Sequence, residues 1–191
     1  MFHRLTFSTV ALAVLVTLPV SPVRADDRQT CYSINSNDFK KDGYIGTGAA
    51  ACSRLINKLP SSDKKALAAA HMTRGYWMHR KGDHTASMAD YNKGLDLDPN
   101  SFEGYDYRAD LWADMGNDER ALADYEQATR VDPNYVAAHY SRGQIYEKRG
   151  DIASARAAYE KAIALPKRDR IAEWAQNNAR NRLRALGNKT N

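Results

Sequence analysis

The sequence predicts an all-α solenoid built from antiparallel helix pairs, and three observations carry that prediction. A Gly-Asp or Gly-Asn pair returns every 34 residues, at Gly82-Asp83, Gly116-Asn117 and Gly150-Asp151, and Tyr91, Tyr125 and Tyr159 follow the glycines at a constant interval. Such dipeptides are turn signals between helical segments, so each period holds two helices joined by a turn. Asp98-Pro99-Asn100 and Asp132-Pro133-Asn134 close the second helix of a pair, because proline cannot continue a helix and disfavours helical backbone in the residue before it. Finally, Gly75, Ala109 and Gly143 put a small side chain on each first helix, and Ser87, Ala121 and Ala155 put one on each second helix, so that two backbones can approach closely. No unit of this size buries its apolar face alone; the core forms between neighbours.

The period also fits the helix-turn-helix signature W-x2-L-G-x2-Y…A-x3-F…P, which spans 34 residues. The middle copy reads Tyr105, Arg108-Ala109, Trp112, Ala121, Tyr125 and Pro133. The flanking copies read His71, Arg74-Gly75, Met78, Ser87, Tyr91, Pro99 and His139, Arg142-Gly143, Tyr146, Ala155, Tyr159, Pro166. The chain therefore resembles the tetratricopeptide-repeat family over residues 68–167. That resemblance implies a right-handed superhelix of antiparallel pairs whose concave groove binds a protein or peptide segment. The expected repeats occupy 68–101, 102–135 and 136–167 within a segment 61–167.

Before the repeats, residues 1–25 read as a secretory signal. His3 and Arg4 precede the apolar run Val10 to Leu18, then come Pro19, Pro22 and a Val23-Arg24-Ala25 cleavage-type ending. The run falls short of the roughly 20 residues a spanning helix needs, although an uncleaved anchor remains the alternative. The expected setting is exported, periplasmic or secreted, with no transmembrane segment after signal removal. Residues 26–60 form a degenerate repeat, in which Cys52 stands where the tyrosines stand later and Cys31 lies near the start of the first helix. Antiparallel pairing brings the two cysteines side by side, and export favours a disulfide over two buried thiols or a redox pair. Ser61-Ser62-Asp63 then caps and lengthens the next helix.

After the repeats, residues 168–191 hold an amphipathic helix, Arg168 to Leu186, with Ile171, Trp174, Ala175, Ala179, Leu183 and Leu186 near one face and Gly187 as its stop. It serves either as a cap on the open stack or as a basic surface for acidic polymers or lipid headgroups. An Asn188-Lys189-Thr190 sequon in this tail carries little weight.

Charge and motifs exclude more than they assign. With 28 basic and 23 acidic residues the chain is not balanced for nucleic acid, and the repeats are mildly acidic while the tail is basic. No phosphate loop, nucleophile elbow, H-E-x-x-H pair or C-x-x-C pair occurs, so no catalytic residue, metal site or cofactor is expected. Where the family signature has leucine, the chain has Arg74, Arg108 and Arg142. Burying three unpartnered guanidinium groups is prohibitive. Asp90 and Asp124 follow the first two arginines by sixteen residues and offer partners across each hairpin, whereas Ala158 breaks the rule in the third copy; the arginines read as structural, paired or snorkelling, with ligand contacts as the alternative.

On each first helix, the face turned away from the signature positions is the ligand-facing side that the resemblance implies. It comprises Met72, Tyr76 and His79; then Asp106, Asp110 and Asp114 with Glu103 beside them; then Tyr140, Gln144 and Glu147. Some family members hold a peptide carboxylate there with basic side chains, which this chain lacks. A row of carboxylates beside two tyrosines points to a basic or aromatic peptide segment, with a solvated acidic face as the alternative. The expected function is a non-enzymatic interaction module; an envelope enzyme, or an accessory subunit of one, is the other class.

Overall fold

The computed structural model describes residues 25–33 and 44–188. The segment before Ala25 that was expected to be a signal, the turn expected at Gly43 and residues 189–191 of the tail lie outside the described residues. Among those described there are nine helices and no strand: α1 (Ala25–Tyr32), α2 (Tyr44–Lys58), α3 (Lys64–Lys81), α4 (His84–Leu97), α5 (Phe102–Asp114), α6 (Asp118–Val131), α7 (Val136–Lys148), α8 (Ile152–Ala164) and α9 (Arg170–Asn188). Each packs mainly on its neighbours in sequence, and α9 packs on both α7 and α8.

The recurring Gly-Asx pair builds the turn with two separate devices. Gly82, Gly116 and Gly150 adopt φ of 83°, 76° and 78°, the left-handed conformation that ends a helix and that only glycine takes without strain. The next residue, Asp83, Asn117 or Asp151, starts the following helix: its side-chain oxygen accepts the backbone N–H three residues on, at 3.0–3.1 Å. Asp98 and Asp132 accept the N–H of Asn100 and Asn134 in the same local manner, fixing the bend after each Asp-Pro.

The small residues work as spacing predicts. A Cβ on Gly75 would come within 2.7 Å of the Tyr91 ring, which lies against the bare backbone. Ser87 Oγ donates to the Gly75 carbonyl at 2.8 Å, tying α4 to α3. Gly143 receives the Tyr159 ring in the same way.

At the N-terminal end, Cys31 and Cys52 are joined and fully buried among Leu55, Ala70 and Trp77. The Trp77 indole donates to the Cys31 carbonyl at 3.1 Å, so α1, α2 and α3 share one core. Asp63 caps α3 by accepting from the Ala66 N–H, and α3 runs 18 residues.

At the other end, Ala172, Ala175, Ala179 and Leu186 of α9 close over Tyr159, Ala162 and Leu165. Gln176 is buried, and its amide donates to the carbonyls of Ala162, Ile163 and Leu165 at the C-terminal end of α8, where helical carbonyls lack partners within the helix. The expected apolar face needs correction here. Ile171 and Trp174 are 61% and 57% exposed, because the first turn of α9 overhangs the groove rather than the core. The helix also starts at Arg170, and it runs through Gly187 rather than stopping there.

Candidate functional site

α3, α5 and α7 line a trough that opens into two adjoining hollows of about 430 and 470 Å³, which share Tyr107, Asp110, Ser141 and Gln144. Their size falls within the ordinary range for ligand pockets, about 300–1,000 Å³. The first is walled by Tyr76, Tyr91, Tyr107 and Tyr125 around Asp110, with His79 and Asp114 beside them; contrary to the expectation of a groove without basic side chains, Arg80 and Lys148 also line it, Lys148 paired with Asp118 at 2.8 Å. The second holds Glu103, Asp106, Tyr135 and Tyr140 and ends at Ile171 and Trp174.

Helical spacing stacks the acidic side chains of α5, but burial divides them. Asp106 is 7% exposed and accepts a hydrogen bond from the Tyr135 hydroxyl at 2.8 Å. Burial, then the neighbouring charge of Asp110, push its pKa well above the ordinary 3.8. Asp110 is exposed as a residue and accepts a hydrogen bond from the Tyr125 hydroxyl. The rings crowded around its carboxyl still withdraw enough water to raise its pKa, against the lowering effects of Tyr125 and His79. Asp114 is exposed and meets His79 Nε2 at 2.8 Å, a bridge from α5 back to α3.

The phenols respond to the same environment. Burial and the nearby carboxylates raise the pKa of Tyr107, Tyr125 and Tyr135, so all three remain neutral donors at any ordinary pH. Tyr107 packs against Tyr76 and Tyr91 at centroid distances of 5.7 and 6.1 Å, forming a continuous aromatic wall.

The expected groove residues separate into two groups. Tyr76, His79, Glu103, Asp106, Asp110, Asp114 and Gln144 come together along the trough. Tyr140 joins them in the second hollow, although packing covers most of its surface, whereas Met72 and Glu147 line neither hollow. Met72 is 5% exposed and fills the space above Gly94 and Gly104. Tyr140 is buried beneath the Trp174 ring, edge-on at 5.4 Å. Glu147 accepts from Tyr159 Oη at 2.9 Å and pairs with Arg182 of α9 at 2.7 Å. Sequence reasoning missed Tyr107, Tyr125, Tyr135 and Trp174 as groove residues. Tyr107 was findable, since it lies four residues after Glu103 and three before Asp110 on one helix face. Trp174 was not, because its position depends on how α9 docks.

Outside the groove, the arginines are bound as hairpin geometry allows. Arg74 forks onto Asp90 with two bonds of 2.7 Å, and Arg108 onto Asp124 at 2.7 and 2.8 Å. His71 Nδ1 adds a contact to Asp90 at 2.9 Å. Burial alone would raise the Asp90 pKa, but the hydrogen bonds from Arg74 and His71 outweigh it and hold the carboxyl below 3.8.

Family comparison places repeats in the same region. A model described as TPR repeat matches residues 109–150, and models described as tetratricopeptide repeat match 136–165 and 68–101. No curated protein matches the chain. Among solved structures, a tetratricopeptide repeat protein from Parabacteroides merdae is similar with a TM-score of 0.60 at 19% identity, over 82% of this chain and 60% of that one. MamA is similar with a TM-score of 0.55 at 18% identity, over 65% of this chain and 70% of its own. A thermophilic TPR protein of Thermus thermophilus reaches 0.54 at 17%, over 72% and 73%. At these identities the likeness is one of fold.

Proposed function

The chain belongs to the tetratricopeptide-repeat family, typically a non-enzymatic scaffold for protein–protein interaction, and from that premise we propose that it docks a basic, aromatic-containing segment of a partner protein in the α3–α5–α7 trough. One observation carries the reading: Asp106 and Asp110 sit in an aromatic trough, held by neutral tyrosine hydroxyls, with their pKa values raised. A lysine or arginine entering the trough supplies the opposite charge that favours the ionised carboxylates. The tyrosine wall and the exposed Trp174 give rigid area for a cation or a ring to pack on. Tyr76, His79, Glu103, Asp114, Tyr140 and Gln144 complete the contact surface in this reading, while Met72 and Glu147 are held in packing and pairing outside the two hollows.

The proposal includes an exported, periplasmic or secreted setting. The buried Cys31–Cys52 bridge supports it, since disulfides persist in oxidising compartments, as does the signal-like reading of residues 1–25. No described helix is long and apolar enough to cross a membrane.

Fluorescence anisotropy with a panel of labelled peptides tests the chemistry of the partner. Peptides combining lysine or arginine with an aromatic residue bind more tightly than neutral ones, and acidic peptides do not bind. Equal binding of acidic and basic peptides overturns the reading.

A further inference from the structure

The first two repeats share an arrangement from which the third omits one member. Arg74 and Arg108 each place their guanidinium fork on both oxygens of an aspartate from the second helix. Arg142 holds the same register in the third repeat, but Ala158 stands where Asp90 and Asp124 stand. Arg142 Nε is buried without a hydrogen-bond partner, and so is Nε2 of His139, a residue only 8% exposed. Both side chains line an open hollow of about 300 Å³, together with Lys161, Ser154 and Tyr146. The acidic residue that register offers from the preceding pair is engaged elsewhere. Glu126 is in register with Asn92, which bonds Arg108 Nη1, yet Glu126 pairs with Arg130 at 2.6 Å.

A buried polar group left unpaired costs about 1–3 kcal/mol, and more when charged. A guanidinium fork matches a carboxylate in a bidentate, planar fit that few other groups offer. We propose that this hollow, on the face of α7 turned away from the trough, binds a carboxylate supplied from outside the chain, seated where Asp124 sits in the second repeat. Its two oxygens occupy the Arg142 fork, Lys161 adds positive charge at the rim, and His139 forms the wall. The site is independent of the trough and of what the trough binds. The carboxylate comes either from an aspartate or glutamate side chain of a partner or from a free small acid, and the chemistry of the seat is the same for both.

The test follows the Arg142 Nε–H resonance of the oxidised full chain during titration with sodium acetate, against sodium chloride at matched ionic strength. Acetate moves the resonance saturably and chloride does not. Ala158→Asp supplies the missing group from within: it shifts the resonance without acetate, raises the melting temperature and weakens the acetate response about tenfold or more. Lys161→Gln weakens the response while leaving the fold intact. A capped peptide with one glutamate identifies the source, since tighter binding than acetate indicates a partner's side chain and equal binding indicates a small acid. The proposal is overturned by an identical response to chloride, by an acetate response that survives Ala158→Asp, or by one that appears only in Glu126→Gln.

Discussion

Asp106 and Asp90 are both almost fully buried aspartates, yet their surroundings drive them in opposite directions. Asp106 meets a phenol and another carboxyl, so its folded pKa lies above 3.8; Asp90 meets Arg74 and His71, so its folded pKa lies below 3.8. The sign of each contribution follows from linkage. Above 3.8 the native state binds more protons at Asp106 than the unfolded state does, so this group's contribution falls as pH rises from 3.8 through the folded value. The Asp90 contribution is fully present above 3.8 and is lost as pH falls through its lower folded value. Asp106→Asn keeps an acceptor for Tyr135 and removes the titration. Its melting temperature at neutral pH equals or exceeds that of the wild type, and the gap between the two narrows as pH is lowered towards 3.8. A gap that does not change with pH would contradict this assignment. The position of Asp106 on its helix face was legible from spacing but its burial was not, because Tyr135 arrives from the loop before α7.

Within the helix pairs, two kinds of contact recur, and each predicts a different mutational result. Arg108 and Asp124 form a partly buried fork, so Arg108→Leu and Asp124→Ala are coupled in a double-mutant cycle by about 0.5–3 kcal/mol. Arg142→Leu is tolerated better than Arg108→Leu, since it breaks no carboxylate pair. Additive effects at Arg108 and Asp124 in denaturant melts argue against the pairing. Gly143 gives the other kind. Alanine normally stabilises a helix interior by nearly 1 kcal/mol relative to glycine. Here the new Cβ collides with the Tyr159 ring, so Gly143→Ala destabilises by about 1–3 kcal/mol. A stabilised variant removes the close-packing account. These features were legible because the repeat sets them in register: Gly-Asx turns, small residues and the sixteen-residue Arg-to-Asp interval all come from one dimension. The first turn of α9 was not, since its pattern placed Ile171 and Trp174 with the core residues, whereas docking on α7 and α8 left both in solvent.

Among the described residues, a different device holds each end of the stack. The Cys31–Cys52 bridge ties α1 to α2 across 21 residues, and α9 covers the last pair. Closing a loop of that length stabilises by roughly 3 kcal/mol in the chain-entropy model. Reduction therefore lowers the denaturation free energy by about that amount, and intact mass after alkylation without reductant shows no labelled thiol; two labelled thiols in protein from an oxidising compartment contradict the bridge. Between the ends lies the trough, whose row of aspartates was legible from the spacing of Asp106, Asp110 and Asp114, although their differing burial was not. Its tyrosine wall was less so, because Tyr125 belongs to α6 and Tyr135 to a turn, and only the stacking of pairs brings them to α5.

The most direct measurement is calorimetric titration of a basic, aromatic peptide from the panel into wild-type protein and into the Asp106→Asn/Asp110→Asn variant, at low and high salt and in two buffers of different ionisation enthalpy. A cation entering the trough favours the ionised carboxyls, so binding to the wild type releases protons and strengthens as pH rises. The double variant binds more weakly, releases fewer protons and loses salt dependence without a drop in melting temperature. Unchanged affinity in the double variant, with no proton release from the wild type, would place the binding surface outside the trough.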